Sequence, residues 1–323
     1  MLEHGGRLIA ASRRYGIAPE QWLDVSTGIN PLGWPIPQIP ADLWRRLPEE
    51  EDGLVDAARR YLDARHVLPV AGTQAAIQAL PTLRPESRVG VLSPAYAEHG
   101  HSWRKSGHSV TDWNQDMSID GLDVLVVVNP NNPTGQRFSR SRLLAWHQEL
   151  VRRDGWLVVD EAYIDPIPEH SIATHCAEPG LIVLRSLGKF FGLPGARVGF
   201  VLAEHGFLLR LQSLLGPWAV PGPSRWLAQQ ALLDTAWQQT QRDHLAARGR
   251  RLEALLKGHG LAPSGGTALF QWVQFPEAAA LHARLAAQGI LTRLFDQPQS
   301  LRFGLPGGDA EWDRLDRSLK ASV

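Results

Sequence analysis

Asn129-Pro130-Asn131-Asn132-Pro133-Thr134-Gly135 is followed by Asp160-Glu161-Ala162-Tyr163, then by Ser186-Leu187-Gly188-Lys189, and finally by Gly195-Ala196-Arg197-Val198-Gly199. Read singly, these pieces are ordinary. Asn, Pro and Gly favour turns, an acidic pair can end any strand, and a lone lysine after a serine is most often a surface residue. In this order they meet the separate needs of one cofactor, pyridoxal 5'-phosphate. That cofactor does the difficult chemistry by taking a carbanion's electrons into its pyridine ring, and the protein must bind, orient and tune it.

Lys189 can supply the covalent anchor, and its displaced amine can then move protons as general base or acid. Asp160 ends the apolar run Gly155-Trp156-Leu157-Val158-Val159. A carboxylate is therefore expected at the carboxyl end of a buried strand, where ligand sites of open α/β sheets lie, and there it would keep the ring nitrogen protonated. Asn132 and Tyr163 are the candidate donors to the ring's phenolic oxygen. Ser186, Arg197 and the start of a helix at Gly72-Thr73-Gln74 can cradle the dianionic phosphate.

Outward from this stretch, apolar runs alternate with segments of helical spacing. Strands are expected at 67–71, 88–93, 124–129, 156–160, 181–185 and 198–203, and helices at 51–66, 72–81, 98–106 and 139–154. Strands separated by helices indicate a mostly parallel sheet covered on both faces. A helical, polar-rich stretch follows at 224–257. After Gly258 the pattern reads strand 267–274, helix 278–288, strand 290–294, strand 300–304 and helix 310–320, a small α+β domain. Residues 1–44 are read as an arm and part of the small domain, 45–223 as the large cofactor-binding domain, and 224–323 as connecting helices and the rest of the small domain.

Composition sets the frame. The chain has 323 residues with 33 basic and 33 acidic side chains, so no charge excess points to nucleic acid or an anionic membrane. Cys176 is the one cysteine, which excludes an internal disulfide and fits a reducing compartment. No apolar stretch reaches membrane-spanning length, and the N-terminus lacks a basic segment followed by an apolar one; the expected location is cytoplasmic. His99, His101 and His108 do not have the spacing of a metal site and are read as surface histidines. No metal is expected. Twelve tryptophans are assigned to core packing by default.

The ordered motifs resemble those of fold-type I pyridoxal-phosphate enzymes of the class I/II aminotransferase superfamily, over nearly the whole chain. The resemblance implies an aspartate-aminotransferase-like α/β fold, with a mostly parallel seven-stranded sheet in the large domain and a small α+β domain. His4-Gly5-Gly6, followed by Asp24-Val25-Ser26-Thr27-Gly28-Ile29-Asn30-Pro31-Leu32-Gly33, narrows the match. It resembles the L-threonine-O-3-phosphate decarboxylases of cobalamin biosynthesis, as do Gly289-Ile290-Leu291-Thr292-Arg293 and Leu301-Arg302-Phe303 near the other end. In this family the expected product is (R)-1-amino-2-propanol O-2-phosphate.

The resemblance also implies site roles. Tyr96 matches the aromatic residue stacked on the pyridine ring. Arg302 matches the arginine holding the substrate carboxylate or its equivalent, and Arg293 and His4 match the positions that hold the substrate phosphate. Gly28, Ile29, Asn30 and Asn132 would line the substrate pocket. A homodimer is expected, with a cobalamin-pathway enzyme as a possible partner.

Four departures from the family pattern bear on substrate preference and turnover. Leu47-Pro48-Glu49 stands where a Tyr-Pro-Asp supplies a tyrosine to the partner subunit's phosphate site. Gly188 precedes the anchoring lysine in place of Thr or Ser, and Gly28-Ile29-Asn30 replaces Asn-Ile-Asn. Pro217-Trp218-Ala219-Val220-Pro221 replaces Pro-Trp-Ser-Val-Asn. The pattern leaves two other outcomes open: an aminotransferase of the histidinol-phosphate type, and a non-catalytic partner of a cobalamin assembly enzyme. One torsion of the bound substrate separates decarboxylation from transamination, because only a bond perpendicular to the cofactor ring is labilised.

Overall fold

The runs Val124–Val128 and Trp156–Asp160 are buried at every position, as near-continuous apolar strands are when helices cover both faces of a parallel sheet. The computed structural model describes residues 4–323. Its contacts divide the chain into two units. The larger holds Gly33–Asn132 and Arg137–Thr240; the smaller holds the chain up to Leu32, Pro133–Gln136 and Gln241–Val323. The unit changes thus fall at Leu32 and Thr240, against 44 and 223 in the sequence reading. The second lies inside the 24-residue helix Thr235–Gly258, whose continuous helical pattern carries no boundary signal.

The larger unit is built on a seven-stranded sheet. From edge to edge its strands are Leu68–Val70, Gly199–Leu202, Leu181–Ser186, Trp156–Asp160, Val124–Val128, Arg88–Leu92 and Ser109–Trp113. Gly199–Leu202 runs antiparallel to both neighbours, and the remaining pairs are parallel. Side chains alternate across a strand, so Val124, Val126, Val158, Ile182, Leu184 and Val201 share one packed core with Ile77, Trp103 and Phe207. Helix Arg140–Val151 starts where the Ser139 hydroxyl accepts from the Arg142 N–H at 3.2 Å, a cap worth about 1 kcal/mol.

The smaller unit has a four-stranded antiparallel sheet in the order Arg293–Asp296, Gln299–Gly304, Phe270–Gln274, Gly265–Thr267. A separate parallel pair joins Leu23–Asp24 to Ile290–Leu291. Helices Leu8–Tyr15, Ala278–Ala287 and Asp309–Ser322 complete it.

Three elements differ from the sequence reading. Strand Ser109–Trp113 is exposed at most positions, so this edge strand leaves no apolar run to read. The expected strand 267–274 is a hairpin: Thr267 pairs with Phe270, and the Thr267 hydroxyl accepts from the Leu269 N–H at 3.1 Å in the turn. The expected strand 290–294 divides between the two sheets of the smaller unit. Most tryptophans are buried, but Trp44 and Trp218 are 68% and 57% exposed, so core packing does not account for those two.

Candidate active site

Three parallel strands deliver the quoted motifs to one end of the sheet. Val124–Val128 runs into Asn129–Asn132, Trp156–Asp160 ends on the aspartate, and Leu181–Ser186 leads to Lys189. The ten residues expected to face the cofactor, Gly72, Thr73, Gln74, Tyr96, Asn132, Asp160, Tyr163, Ser186, Lys189 and Arg197, line one cavity of the larger unit.

Asp160 is 3% exposed. A buried carboxylate needs partners, and it has them: Oδ1 accepts from the Ala162 N–H at 2.9 Å, and Oδ2 lies 2.9 Å from Nε2 of His99. The expectation that His99 and His108 are surface residues is therefore corrected. His99 is buried against Asp160, and His108 is buried with Nε2 2.9 Å from the Pro81 carbonyl; His101 is exposed. His99 lies one helical turn after Tyr96, and the two rings meet edge to face at 6.1 Å. The Tyr96-x-x-His99 spacing was the available signal.

Tyr96 donates from its hydroxyl to Gln74 Oε1 at 3.1 Å, and Gln74 Nε2 donates to Glu98 at 2.9 Å. Burial, then the negative charges of Glu98 and Asp160, push the Tyr96 phenol up to about 12. Lys189 Nζ lies 5.6 Å from the centre of the Tyr163 ring, and Ser186 Oγ accepts from the Gly188 N–H at 3.2 Å.

The fit to the cofactor can be tested on the backbone. Gly72 has φ +70°, and a Cβ there would lie 2.6 Å from Arg197 Nη2. The positive φ favours glycine, and the missing Cβ leaves room for that guanidinium beside the start of helix Thr73–Ala79. Gly199 is as confined, since its Cβ would meet the Thr73 nitrogen at 2.6 Å. Backbone N–H groups, a serine hydroxyl and an arginine at one end, with a buried carboxylate and a lysine beyond, form the donor set that pyridoxal 5'-phosphate requires.

The residues expected to bind substrate, other than Asn132, belong to the smaller unit. Arg302 is 6% exposed, donates from Nη2 to the Ser26 carbonyl at 2.7 Å, and lies over the Phe270 ring. Arg293 is its direct partner across the antiparallel pair, so the two cations share one face. The Gly304 N–H donates to Val25 at 2.7 Å, laying the segment that leads to Gly28, Ile29 and Asn30 along the Arg302 strand. Gly28 and Asn30 are buried and Ile29 is half-buried; Asn30 Oδ1 accepts from the Leu32 N–H. His4 is exposed, and the neighbouring Gly6 N–H donates to Ser26 Oγ at 2.7 Å. Ser26 therefore holds both the His4-Gly5-Gly6 segment and Arg302.

Comparison with known proteins agrees with this geometry. The aminotransferase class I and II profile matches residues 54–315. The chain belongs to the class I and II aminotransferase family. Within it, the chain is 57% identical to a threonine-phosphate decarboxylase of Pseudomonas aeruginosa, over 99% of this chain and 97% of that protein. It is 31% identical to a threonine-phosphate decarboxylase of Salmonella typhimurium, over 90% and 87%. Among solved structures, the histidinol-phosphate aminotransferase from Sinorhizobium meliloti in complex with pyridoxal-5'-phosphate superposes with a TM-score of 0.84 at 21% identity, covering 100% of this chain and 99% of that one. At that identity the likeness supports the family's fold, α/β with a large, mostly parallel sheet.

Proposed function

We propose that this chain decarboxylates L-threonine O-3-phosphate to (R)-1-amino-2-propanol O-2-phosphate, with pyridoxal 5'-phosphate as cofactor, in cobalamin biosynthesis. The observation that carries the reading is the 57% identity to a threonine-phosphate decarboxylase along almost the whole of both chains. When bound, the cofactor takes up the electron pair left when the carboxyl group departs as carbon dioxide. Lys189 would hold the cofactor, yield to the substrate amine, and return a proton to the α-carbon. Asp160, oriented by His99, would keep a proton on the ring nitrogen. Asn132 and Tyr163 would donate to the phenolic oxygen, and Tyr96 would stack on the ring. Gly72, Thr73, Gln74, Ser186 and Arg197 would hold the cofactor phosphate.

The substrate carries two anionic groups, and the reading assigns Arg302 to its carboxylate and Arg293 with His4 to its phosphate. Arg293 and Arg302 are direct partners across the antiparallel pair, which sets two cations on one face for two anionic groups. Gly28, Ile29 and Asn30 would complete the pocket. Fixing the carboxylate decides which bond stands perpendicular to the ring, and so selects decarboxylation over transamination. The reading includes a cytoplasmic homodimer acting beside cobalamin-pathway enzymes; none of the described helices is long and apolar enough to cross a membrane.

The test is product analysis on the cofactor-loaded protein with L-threonine O-3-phosphate, with and without a 2-oxo acid. Carbon dioxide and aminopropanol phosphate without acceptor are expected. Acceptor-dependent loss of the amine without carbon dioxide would move the chain to the transaminating members of its family.

A further inference from the structure

Next in sequence to residues that line the cofactor cavity, the larger unit buries three ionisable side chains for which the reaction described above has no use. Arg185 is 3% exposed, Glu161 0% and Asp165 2%. The Arg185 Nη2 donates to Asp165 Oδ1, and its Nη1 lies 3.6 Å from Glu161 Oε2 and 3.4 Å from the Ser171 hydroxyl. Tyr61 donates to the same Asp165 oxygen at 2.9 Å. Glu161 also accepts from the Ser171 hydroxyl and, at 2.9 Å, from the Ile172 N–H.

The place of these groups in the chain matters more than their number. Glu161 follows Asp160, Asp165 lies two residues beyond Tyr163, and Arg185 precedes Ser186 and stands four residues before Lys189. The backbone already ties the two strand ends where the Glu161 N–H donates to the Leu184 carbonyl at 2.8 Å. That bond fixes the start of the 160–165 turn, and Arg185 reaches both its start and its far end. Removing three charges from water costs several kcal/mol each, and apolar residues of similar volume often give equal or better stability. Stability by itself is therefore a weak reason for this cluster to stand here.

We propose that Arg185 is a positioning residue for the cofactor. Clamped between Glu161 and Asp165, it holds the turn carrying Asp160 and Tyr163 in register with the strand end carrying Ser186 and Lys189. Groups on both sides of the clamp line the cofactor cavity, so loosening it would misplace the ring-nitrogen carboxylate and the phenolic-oxygen donor relative to the anchoring lysine. Geometry loose by about 1 Å is enough to degrade such a site.

Arg185→Lys tests this. Lysine keeps the charge, so neither carboxylate is left without a cation, but a single ammonium lacks the planar fork that spans both. The variant is expected to bind pyridoxal 5'-phosphate about tenfold more weakly, a loss the size of one charge-assisted hydrogen bond. The pH midpoint of the bound cofactor's visible absorption band is expected to shift, because that band reports the surroundings of the ring and the lysine. Should Arg185→Lys fail to fold, Tyr61→Phe removes the outer hydrogen bond to Asp165, and is expected to weaken cofactor binding about two- to fivefold with the same shift in midpoint. Wild-type affinity and midpoint in the folded variant would overturn the proposal, even if its thermal stability fell. Cofactor binding is read without substrate, so the result stands apart from the decarboxylase assignment.

Discussion

That Lys189 and Asp160 line one cavity was legible because the motifs occur in order, with the aspartate at the end of an apolar run. His99 was not, because a histidine's burial and partner depend on which helix face meets the sheet, and three histidines within ten residues read as a solvated cluster. Its contact with Asp160 at 2.9 Å leads to a prediction. His99→Leu leaves Asp160 with the Ala162 N–H alone among these two partners, and a hydrogen bond to a charged group is worth about 1.5–3 kcal/mol. Cofactor affinity should fall about tenfold or more, which titration of the apoprotein with pyridoxal 5'-phosphate measures; an unchanged dissociation constant would make His99 a packing residue. Tyr96 gives a second prediction. Its folded pKa of about 12 lies above the unfolded value of 10.0, so the native state holds this proton more tightly. The contribution to stability is complete below about pH 10 and is lost as pH rises toward about 12. Denaturant unfolding at intervals across that window should show wild type losing more stability than Tyr96→Phe. Parallel losses in the two proteins would rule the phenol out as the cause.

At the scale of elements, the parallel core followed from the sequence because its strands are apolar throughout and fully buried, whereas the Ser109–Trp113 edge strand and the Thr267–Phe270 hairpin turn are fixed by pairing, which a single run of residues does not display. The same pairing sets the meeting point of strand Gly199–Leu202 with helix Thr73–Ala79. A Cβ on Gly199 would stand 2.6 Å from the Thr73 nitrogen, 2.9 Å from the Gly72 carbonyl carbon and 3.1 Å from the Arg185 oxygen, all backbone atoms. None can swing aside. Gly199→Ala should therefore move the helix start away from the strand, costing about 1–3 kcal/mol and weakening cofactor binding together with stability. Gly195→Ala is the control, because its Cβ meets nothing within 4 Å, and it should stay within about 0.5 kcal/mol of wild type. Thermal melts with and without cofactor compare the two. Equal behaviour of both variants would mean that the strand and helix can separate without consequence.

At the scale of the whole molecule, a large and a small domain could be anticipated from the strand–helix alternation and the change of pattern after Gly258, while association could not be read from composition. Exposed apolar side chains taken singly are normal, and only folding brings Trp44 and Trp218 to related places. A Cβ on Gly222 would lie 3.0 Å from the Leu43 carbonyl, so the turn bearing Trp44 packs beside the chain that follows Trp218. Pro48, next to the exposed Leu47, lines the same cleft as Trp218. These are the segments in which the chain departs from its family's Tyr-Pro-Asp and Pro-Trp-Ser-Val-Asn patterns, and Leu47 and Trp218 within them face solvent. Exposed apolar side chains gathered in one part of a surface suit a covering partner, and the homodimer proposed above supplies one. Equilibrium sedimentation should give a mass near twice the 35.7 kDa of the chain. The double variant Trp44→Glu/Trp218→Glu places charge where a dimer would bury ~800 Å² on each partner, and should shift the equilibrium toward monomer as protein is diluted. A mass of one chain for the wild type, with decarboxylation undiminished on dilution, would leave the two tryptophans without this explanation and would show the active site to be complete within one copy.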